Sequence, residues 1–250
     1  MENMDLTFVN PPMPKIEKQV IISVGREFGS GGHEIATRIA KTFNLPLYDH
    51  NILREVSAEK GVDVKEFAPY DEIPQKGLFY RTVKGYSNSP EKNIAYMQFD
   101  FLRAKADSGE SFVVVGRCAE EVLKEYPGLI TIFILADMDK KVERIMRRYN
   151  LDDPRKTYEA ILKQDKKRKQ YHNYFCEGKW GDSRNYEFSI NCSKLGIDET
   201  TEALTRYLKV RIANLQKYVG VIFPILSRNR FAICLRGIAR GSKKVVLMLS

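Results

Sequence analysis

Short apolar runs alternate along the chain with longer stretches in which apolar positions recur at three- and four-residue spacing. The apolar runs predict strands, and the amphipathic stretches predict helices between them. The predicted strands are Val20–Val24, Leu45–Asp49, Ser111–Val115, Ile130–Leu135 and Tyr186–Asn191. The predicted helices are one from His33 onward, Glu91–Ala106, Arg117–Glu125, Asp139–Tyr149, Pro154–Tyr174 and Asp198–Tyr218. This alternation is typical of an α/β fold, with a five-stranded parallel sheet covered on both faces.

A glycine-rich segment lies between the first predicted strand and the first predicted helix. Gly29, Gly31 and Gly32 free the backbone for a tight loop that leads into a helix N-terminus. Such a loop directs several N–H groups and the positive end of the helix dipole at one spot, which suits a phosphate. The standard motif ends in Gly-Lys-Ser/Thr, whereas here Gly32 stands at the lysine position and His33 or Glu34 at the hydroxyl position. The segment therefore predicts either an anion site of backbone donors or a βα turn that binds nothing.

Composition narrows the class of protein. The chain has 250 residues, of which 43% are hydrophobic and 29% charged, so it suffices for one sizeable core. Four cysteines without C-x-x-C spacing and three histidines argue against a zinc site and a disulfide framework. Residues 1–18 read as a flexible leader without a secretory signal, and no apolar stretch reaches membrane-spanning length. We therefore expect a soluble cytoplasmic protein.

The positive charge is unevenly distributed. Six basic residues and no acidic residue lie between Gly220 and Ser250, so only +3 of the net charge of +9 belongs to the rest of the chain. That mild charge suits phosphorylated small molecules as well as nucleic acid, and no nucleic-acid-binding signature is evident. For the basic and apolar tail at 218–250 we favour an accessory strand or disordered extension over a membrane-surface or nucleic-acid arm.

Several short motifs follow one another in a fixed order. They are Ile22–Gly32, Leu47–Asp49, Val114–Ala119, Asp165–Arg168, Trp180–Asp182, and Tyr186 with Asn191. The set resembles the cytidylate kinase-like family, a branch of the P-loop nucleoside monophosphate kinases, over roughly Gln19 to Leu208. The resemblance implies a three-layer P-loop kinase fold in a domain at 19–217, with an acceptor-binding segment at 61–90 and a lid region at 144–180. It implies phosphoryl transfer from ATP, with Mg²⁺, to a nucleoside monophosphate, a CMP-like acceptor being favoured.

The resemblance also assigns the donor site. Backbone N–H groups of the glycine loop would hold the donor β-phosphate, and Arg26 and His33 complete the predicted ATP site. Because the loop lysine is missing, Arg26 or a lid arginine would supply its charge. Mg²⁺ would be left to Ser30, Glu34 or water, and no side chain is assigned as a firm metal ligand. The loop residues so assigned are Gly29, Ser30, Gly31 and Gly32.

Acceptor residues are expected at the ends of the second and third strands. Asp49 and Arg54 would bind the acceptor, although Asp49 serves equally well as an N-cap for a helix from Asn51. Arg117 follows Gly116 at a strand end and would face the acceptor phosphate, the alternative being a surface salt bridge.

The basic segment Arg144–Trp180 contains the expected lid. Asp165 and Arg168 match the Asp-x-x-Arg step of a lid helix, in which the Asp fixes arginines and the Arg contacts phosphate. An ordinary i, i+3 ion pair is the alternative. Arg147 and Arg148 are further lid residues, whereas Trp180 and Tyr186 are expected to pack.

Three functions remain open at this point. The first is the kinase, with nucleotide substrates as its partners. The second is a non-catalytic nucleotide sensor on the same fold, which the missing lysine suggests. The third and least favoured is a nucleic-acid-binding protein, which only the net charge of +9 and the basic tail support. The sequence leaves the oligomeric state open.

Overall fold

The computed structural model describes residues 10–49, 52, 82–83, 86–87 and 90–217. The strands are β1 (Ile21–Arg26), β2 (Leu47–Tyr48), β3 (Thr82–Val83), β4 (Tyr86–Ser87), β5 (Phe112–Val115), β6 (Leu129–Leu135) and β7 (Phe188–Asn191). The helices are α1 (Gly32–Phe43), α2 (Pro90–Asp107), α3 (Ala119–Val122), α4 (Met138–Tyr149), α5 (Pro154–Phe175) and α6 (Gly196–Lys217), with a 3₁₀ turn at Ser183–Asn185. The start of the leader, Arg54, most of the acceptor segment at 61–90 and the tail at 218–250 lie outside the described residues.

Five strands form one parallel sheet, as the apolar runs predict, and their order is β2-β5-β1-β6-β7. The central strand β1 pairs with β5 from Ile21–Phe112 onward and with β6 from Ile21–Leu129 onward. The chain leaves β1 toward β2 on one side, while β6 and β7 lie on the other. The carboxyl end of β1 is therefore a topological switch point, where ligands of open parallel sheets bind. β3 and β4 form a separate antiparallel pair.

Alternate residues of β1 pack into two cores on opposite faces of the sheet. Ile22 and Val24 contact the face covered by α1 and α6, whereas Ile21 faces α2. Each of these side chains is fully buried, and burying one contributes about 1.5–3 kcal/mol. The two cores fix the height and direction of β1, and therefore the position of the loop that follows it.

The structure corrects one expectation about local structure. The helix predicted at Arg117–Glu125 is only the short α3, because Gly116, Arg117 and Cys118 have φ of 74°, 60° and 54°, which are left-handed rather than helical. The flexibility of the leader stays a prediction, and the structure shows contacts at its end. The Glu17 and Lys18 N–H groups donate to the Gln216 side chain on α6, at 3.2 and 2.8 Å.

None of the described helices combines the length and the apolar character that crossing a bilayer requires.

Candidate active site

The loop between β1 and α1 has the shape expected of a phosphate cradle. The Glu27 N–H donates to the Ile134 carbonyl at 3.0 Å, and the Ser30 hydroxyl donates to the Glu27 carbonyl at 2.9 Å. Gly29 and Gly31 have φ of 80° and 85°, a conformation that side-chain-bearing residues rarely adopt. The first turn of α1 follows directly, and its N–H groups have no acceptors within the helix. Phosphate binding by this loop remains a prediction, and its backbone fits that role.

Two side chains hold the outer side of the loop. Arg144 donates to the Gly29 carbonyl at 2.5 Å, and the Cys192 thiol donates to the Ser30 carbonyl at 2.7 Å. Because the C=O and N–H of a trans peptide point in opposite directions, the Gly31 N–H is directed away from Cys192. The sequence analysis did not find Arg144 and Cys192 as site residues, since only the fold brings α4 and the end of β7 to the loop.

Arg26 fills the space that a loop lysine would enter. A Cβ built on Gly32 would lie 2.6 Å from the Arg26 Cβ, and one built on Gly116 would lie 2.1 Å from Arg26 Nη1. The Arg26 side chain therefore runs from the glycine loop past Gly32 to the end of β5. Of the two substitutes that the sequence suggests for the missing lysine, Arg26 is thus already beside the lysine position.

A small pocket of about 30 Å³ lies at the carboxyl ends of β1 and β5. Three of the predicted residues, Arg26, Arg117 and Arg168, line it from three different elements. Arg117 is only 3% exposed, which excludes the surface salt bridge considered above. The other lining residues are Gly25, Gly116, Cys118, Glu120, Tyr171, His172 and Trp180.

Arg168 is held close to the glycine loop. Its Nη1 donates to the Arg26 carbonyl at 3.5 Å, and its guanidinium carbon lies 5.5 Å from the Phe28 ring centroid. The structure therefore places the predicted lid arginine of α5 beside the predicted donor site.

Asp49 and His33 contact each other across α1 and the end of β2. Asp49 Oδ2 lies 2.8 Å from His33 Nε2, and the Asp49 side chain is buried. The Asp49 carbonyl also accepts from the Ile52 N–H at 3.2 Å. Neither side chain lines the pocket of the three arginines. Their assignment to ATP and acceptor remains a prediction.

Asp165 binds a lysine that the sequence analysis missed. Its Oδ2 lies 2.6 Å from Lys141 Nζ, and its Oδ1 accepts from the Phe28 N–H at 2.6 Å. Lys141 also lies 3.2 Å from Glu27 Oε2. A sequence signal existed, because Lys141 is spaced three residues from Met138 and four from Ile145, on the face of α4 that turns inward.

The other predicted lid residues lie elsewhere. Arg147 is exposed and pairs with Glu143 at 3.1 Å, and the exposed Arg148 lies over the Tyr149 ring. The structure does not bring either arginine to the pocket, because both lie in the last turn of α4, one turn beyond Arg144, and are exposed to solvent.

The packing roles expected for Trp180 and Tyr186 are confirmed. Both rings contact Phe133 of β6, at centroid distances of 5.4 and 4.9 Å. Trp180 also lines the pocket, in addition to packing against Phe133.

A charged pair forms one wall of the pocket. Glu120 Oε1 lies 2.7 Å from His172 Nε2 and accepts from the Tyr186 hydroxyl at 3.2 Å. Burial disfavours the charged imidazole, but hydrogen bonds to Cys176 and Glu120 outweigh it and raise the pKa of His172 to about 10. Burial raises the pKa of Tyr186, because it disfavours the charged phenolate, and the nearby Glu120 carboxylate raises this pKa further. His172 is therefore an imidazolium at neutral pH, and its charge balances Glu120.

The residues present fit a polyphosphate better than a protein-held magnesium ion. The buried Ser30 hydroxyl donates to the Glu27 carbonyl and accepts from the Gly32 N–H, and Glu34 pairs with Arg38. Within the described part of the chain, no group of three or more His, Cys, Asp or Glu side chains could hold a metal. The loop backbone and the three arginines, by contrast, are donors suited to phosphate oxygens.

Comparisons with known proteins identify the family. The model of the cytidylate kinase-like family matches residues 21–194. The chain belongs to the cytidylate kinase-like family. Membership confirms the resemblance drawn from the motifs and supports nucleoside monophosphate kinase activity, which uses ATP.

Individual relatives span most of this kinase-like chain. A crystal structure of an uncharacterized protein from Eubacterium ventriosum is 39% identical, covers 76% of this chain and 98% of that one, and has a TM-score of 0.60. A cytidylate kinase from Methanocaldococcus jannaschii is 27% identical in an alignment of 205 positions that covers 79% of this chain and 100% of that protein. A cytidylate kinase from Pyrobaculum neutrophilum is 24% identical in an alignment of 194 positions that covers 76% of this chain and 92% of that protein.

Proposed function

We propose that this protein transfers the terminal phosphoryl group of ATP to a nucleoside monophosphate, with CMP as the favoured acceptor. The observation that carries the proposal is the convergence of Arg26, Arg117 and Arg168 on one pocket beside the glycine loop. Guanidinium groups donate several hydrogen bonds in a planar arrangement that suits phosphate oxygens, so a pocket lined by three of them suits a polyanion. The choice of CMP rests on the relatives named cytidylate kinase.

Phosphoryl transfer requires two phosphates held in line and positive charge around the group that moves. In our proposal the loop backbone and the first turn of α1 hold the donor β-phosphate. Arg117, at the end of β5, holds the acceptor phosphate. The two sites lie at the ends of adjacent strands, so the sheet itself sets the distance between the phosphates.

Arg26 would act between the donor and the acceptor. Its side chain crosses from Gly32, on the donor side, to Gly116, next to the acceptor residue Arg117. A planar guanidinium can bond two oxygens of the transferring group at once, which a lysine ammonium cannot do in the same way. Arg168 of α5 would add a second charge and exclude water from the pocket.

A coupled ADP-release assay tests the proposal. CMP, UMP, AMP and GMP are compared as acceptors, and ATP affinity is measured by isothermal titration calorimetry. We expect turnover with at least one monophosphate, fastest with CMP. An Arg147→Ala variant, which changes an exposed arginine outside the pocket, should match the wild type.

The assay also separates the alternatives. ATP binding without turnover on any monophosphate would favour the nucleotide sensor, which the glycine at the lysine position and the engaged Ser30 hydroxyl support. Turnover on a monophosphate other than CMP, with none on CMP, would support the kinase function and overturn the choice of CMP as acceptor. Failure to bind any nucleotide, with salt-sensitive binding of DNA or RNA, would overturn both.

A further inference from the structure

Lys141 is a buried lysine held between two carboxylates from different parts of the chain. Its side chain is 4% exposed, and its Nζ lies 2.6 Å from Asp165 Oδ2 and 3.2 Å from Glu27 Oε2. A buried ammonium is costly unless it is paired and hydrogen-bonded. Here the pairing joins α4, α5 and the glycine loop at a single point.

Both carboxylates also bind backbone groups at the site. Asp165 Oδ1 accepts from the Phe28 N–H at 2.6 Å, and Glu27 Oε2 accepts from the Ala136 N–H at 3.2 Å. Lys141 contacts the loop directly as well, because a Cβ on Gly29 would lie only 3.2 Å from the Lys141 Cβ. Three consecutive residues, from Glu27 to Gly29, therefore contact Lys141 either directly or through Asp165.

The same contacts reach the lid arginine. Asp165 and Arg168 lie on one face of α5, three residues apart, so the ion pair with Lys141 fixes the turn that carries Arg168. Arg168 in turn donates to the Arg26 carbonyl. Lys141 thus connects the donor loop with the helix that supplies charge to the pocket.

We propose that Lys141 is a positioning residue for phosphoryl transfer, which holds the glycine loop and Arg168 in one geometry by neutralising Glu27 and Asp165. The proposal rests on the proposed kinase function. Without the ammonium, two carboxylates face each other beside the loop. Their repulsion releases Phe28 and the Arg168 turn, and their unbalanced negative charge opposes the polyphosphate. Lys141 acts through these two carboxylates and does not contact the phosphates.

The first test removes the positive charge of Lys141 and keeps a side chain of similar size. We expect Lys141→Met to lower kcat and to raise the KM for ATP, with kcat/KM falling at least 30-fold. The KM for the acceptor should change less than threefold, because Arg117 lies outside this network. Lys140→Met is the matched control, since Lys140 is exposed and pairs only with Glu143 among the described residues. Wild-type kinetics in Lys141→Met would overturn the proposal.

A double variant separates positioning from direct contact. In Lys141→Met with Asp165→Asn, one carboxylate charge is removed while the amide oxygen can still accept from the Phe28 N–H. We expect this variant to recover at least tenfold of the lost kcat/KM. Recovery of folding without recovery of turnover would mean that Lys141 serves the phosphates itself, and would overturn the positioning role. The double variant also provides the test if Lys141→Met alone does not fold.

A readout without turnover distinguishes this proposal from the kinase function. Hydrogen exchange of a peptide that contains Phe28 should be at least tenfold faster in Lys141→Met than in the wild type, and should slow again in the double variant. Unchanged exchange would overturn the proposal even in an active kinase. A wild type without activity on any monophosphate would overturn the kinase function, while faster exchange in Lys141→Met would still support the role of Lys141 in holding the loop.

Discussion

An alanine at Gly116 should damage the enzyme through Arg26. Gly116 has a φ of 74°, and a Cβ there would lie 2.1 Å from Arg26 Nη1, so the guanidinium must move. The left-handed backbone costs an alanine roughly 1–2 kcal/mol of stability. Losing the contact that we propose between Arg26 and phosphate costs transfer roughly 1.5–3 kcal/mol. At about 1.4 kcal/mol per tenfold change, that second cost lowers kcat/KM roughly 10- to 150-fold.

Gly109 provides a matched control for the backbone cost. Its φ is 82°, close to that of Gly116, but a Cβ on Gly109 would meet no atom of the described residues within 4 Å. Gly109→Ala and Gly116→Ala should therefore lower the melting temperature by similar amounts, as followed by circular dichroism. Only Gly116→Ala should lower kcat/KM in the coupled ADP-release assay.

A double-mutant cycle identifies the cause of the loss. If Gly116→Ala acts by displacing Arg26, then adding it to Arg26→Ala should lower kcat/KM no further, since the displaced group is already absent. Effects that multiply in the double variant would show that Gly116 acts independently, for example through the neighbouring Arg117. That result would refute the path we assign to the Arg26 side chain.

Other variants test the remaining pocket residues. Arg117→Ala should raise the acceptor KM roughly 10- to 150-fold, through loss of about 1.5–3 kcal/mol of charge-assisted bonding, with ATP affinity nearly unchanged in calorimetry. Arg168→Lys should lower kcat roughly 100-fold, almost as much as Arg168→Ala, because an ammonium does not reproduce a bidentate guanidinium; wild-type kcat in either variant would contradict this. The raised pKa of His172, about 10, means that its charged form contributes stability below pH 6.5 that is lost as the pH rises toward 10. His172→Gln should therefore show a smaller fall in melting temperature between pH 7 and 10 than the wild type, and equal falls would contradict the charged pair.

The sheet could be predicted from the sequence because its inner strands are mostly apolar. Phe112–Val115 is an unbroken apolar run that is buried throughout, and β1 contributes the buried Ile21, Ile22 and Val24. The predicted helix from Arg117 failed for a local reason. Hydrophobic periodicity does not reveal the three left-handed residues that precede α3. The Arg26 side chain lies close to the first of them, Gly116.

The site was predictable only where a motif marks it. Arg117 and Arg168 follow recognisable motifs, and the structure brings both to the pocket. Lys141 and Arg144 stand among many basic residues, and their burial depends on how α4 packs against the loop. Charge composition does not distinguish Arg144 from Arg147, although one bonds the Gly29 carbonyl and the other points to solvent.

The Arg26 side chain also limits how this loop can change during evolution. A lysine at Gly32 would collide with the Arg26 Cβ at 2.6 Å, and a small residue at position 26 without that lysine would leave the loop short of a cation. On this backbone, a lysine at position 32 therefore also requires a glycine at position 26, because every other residue keeps the Cβ atom that blocks it.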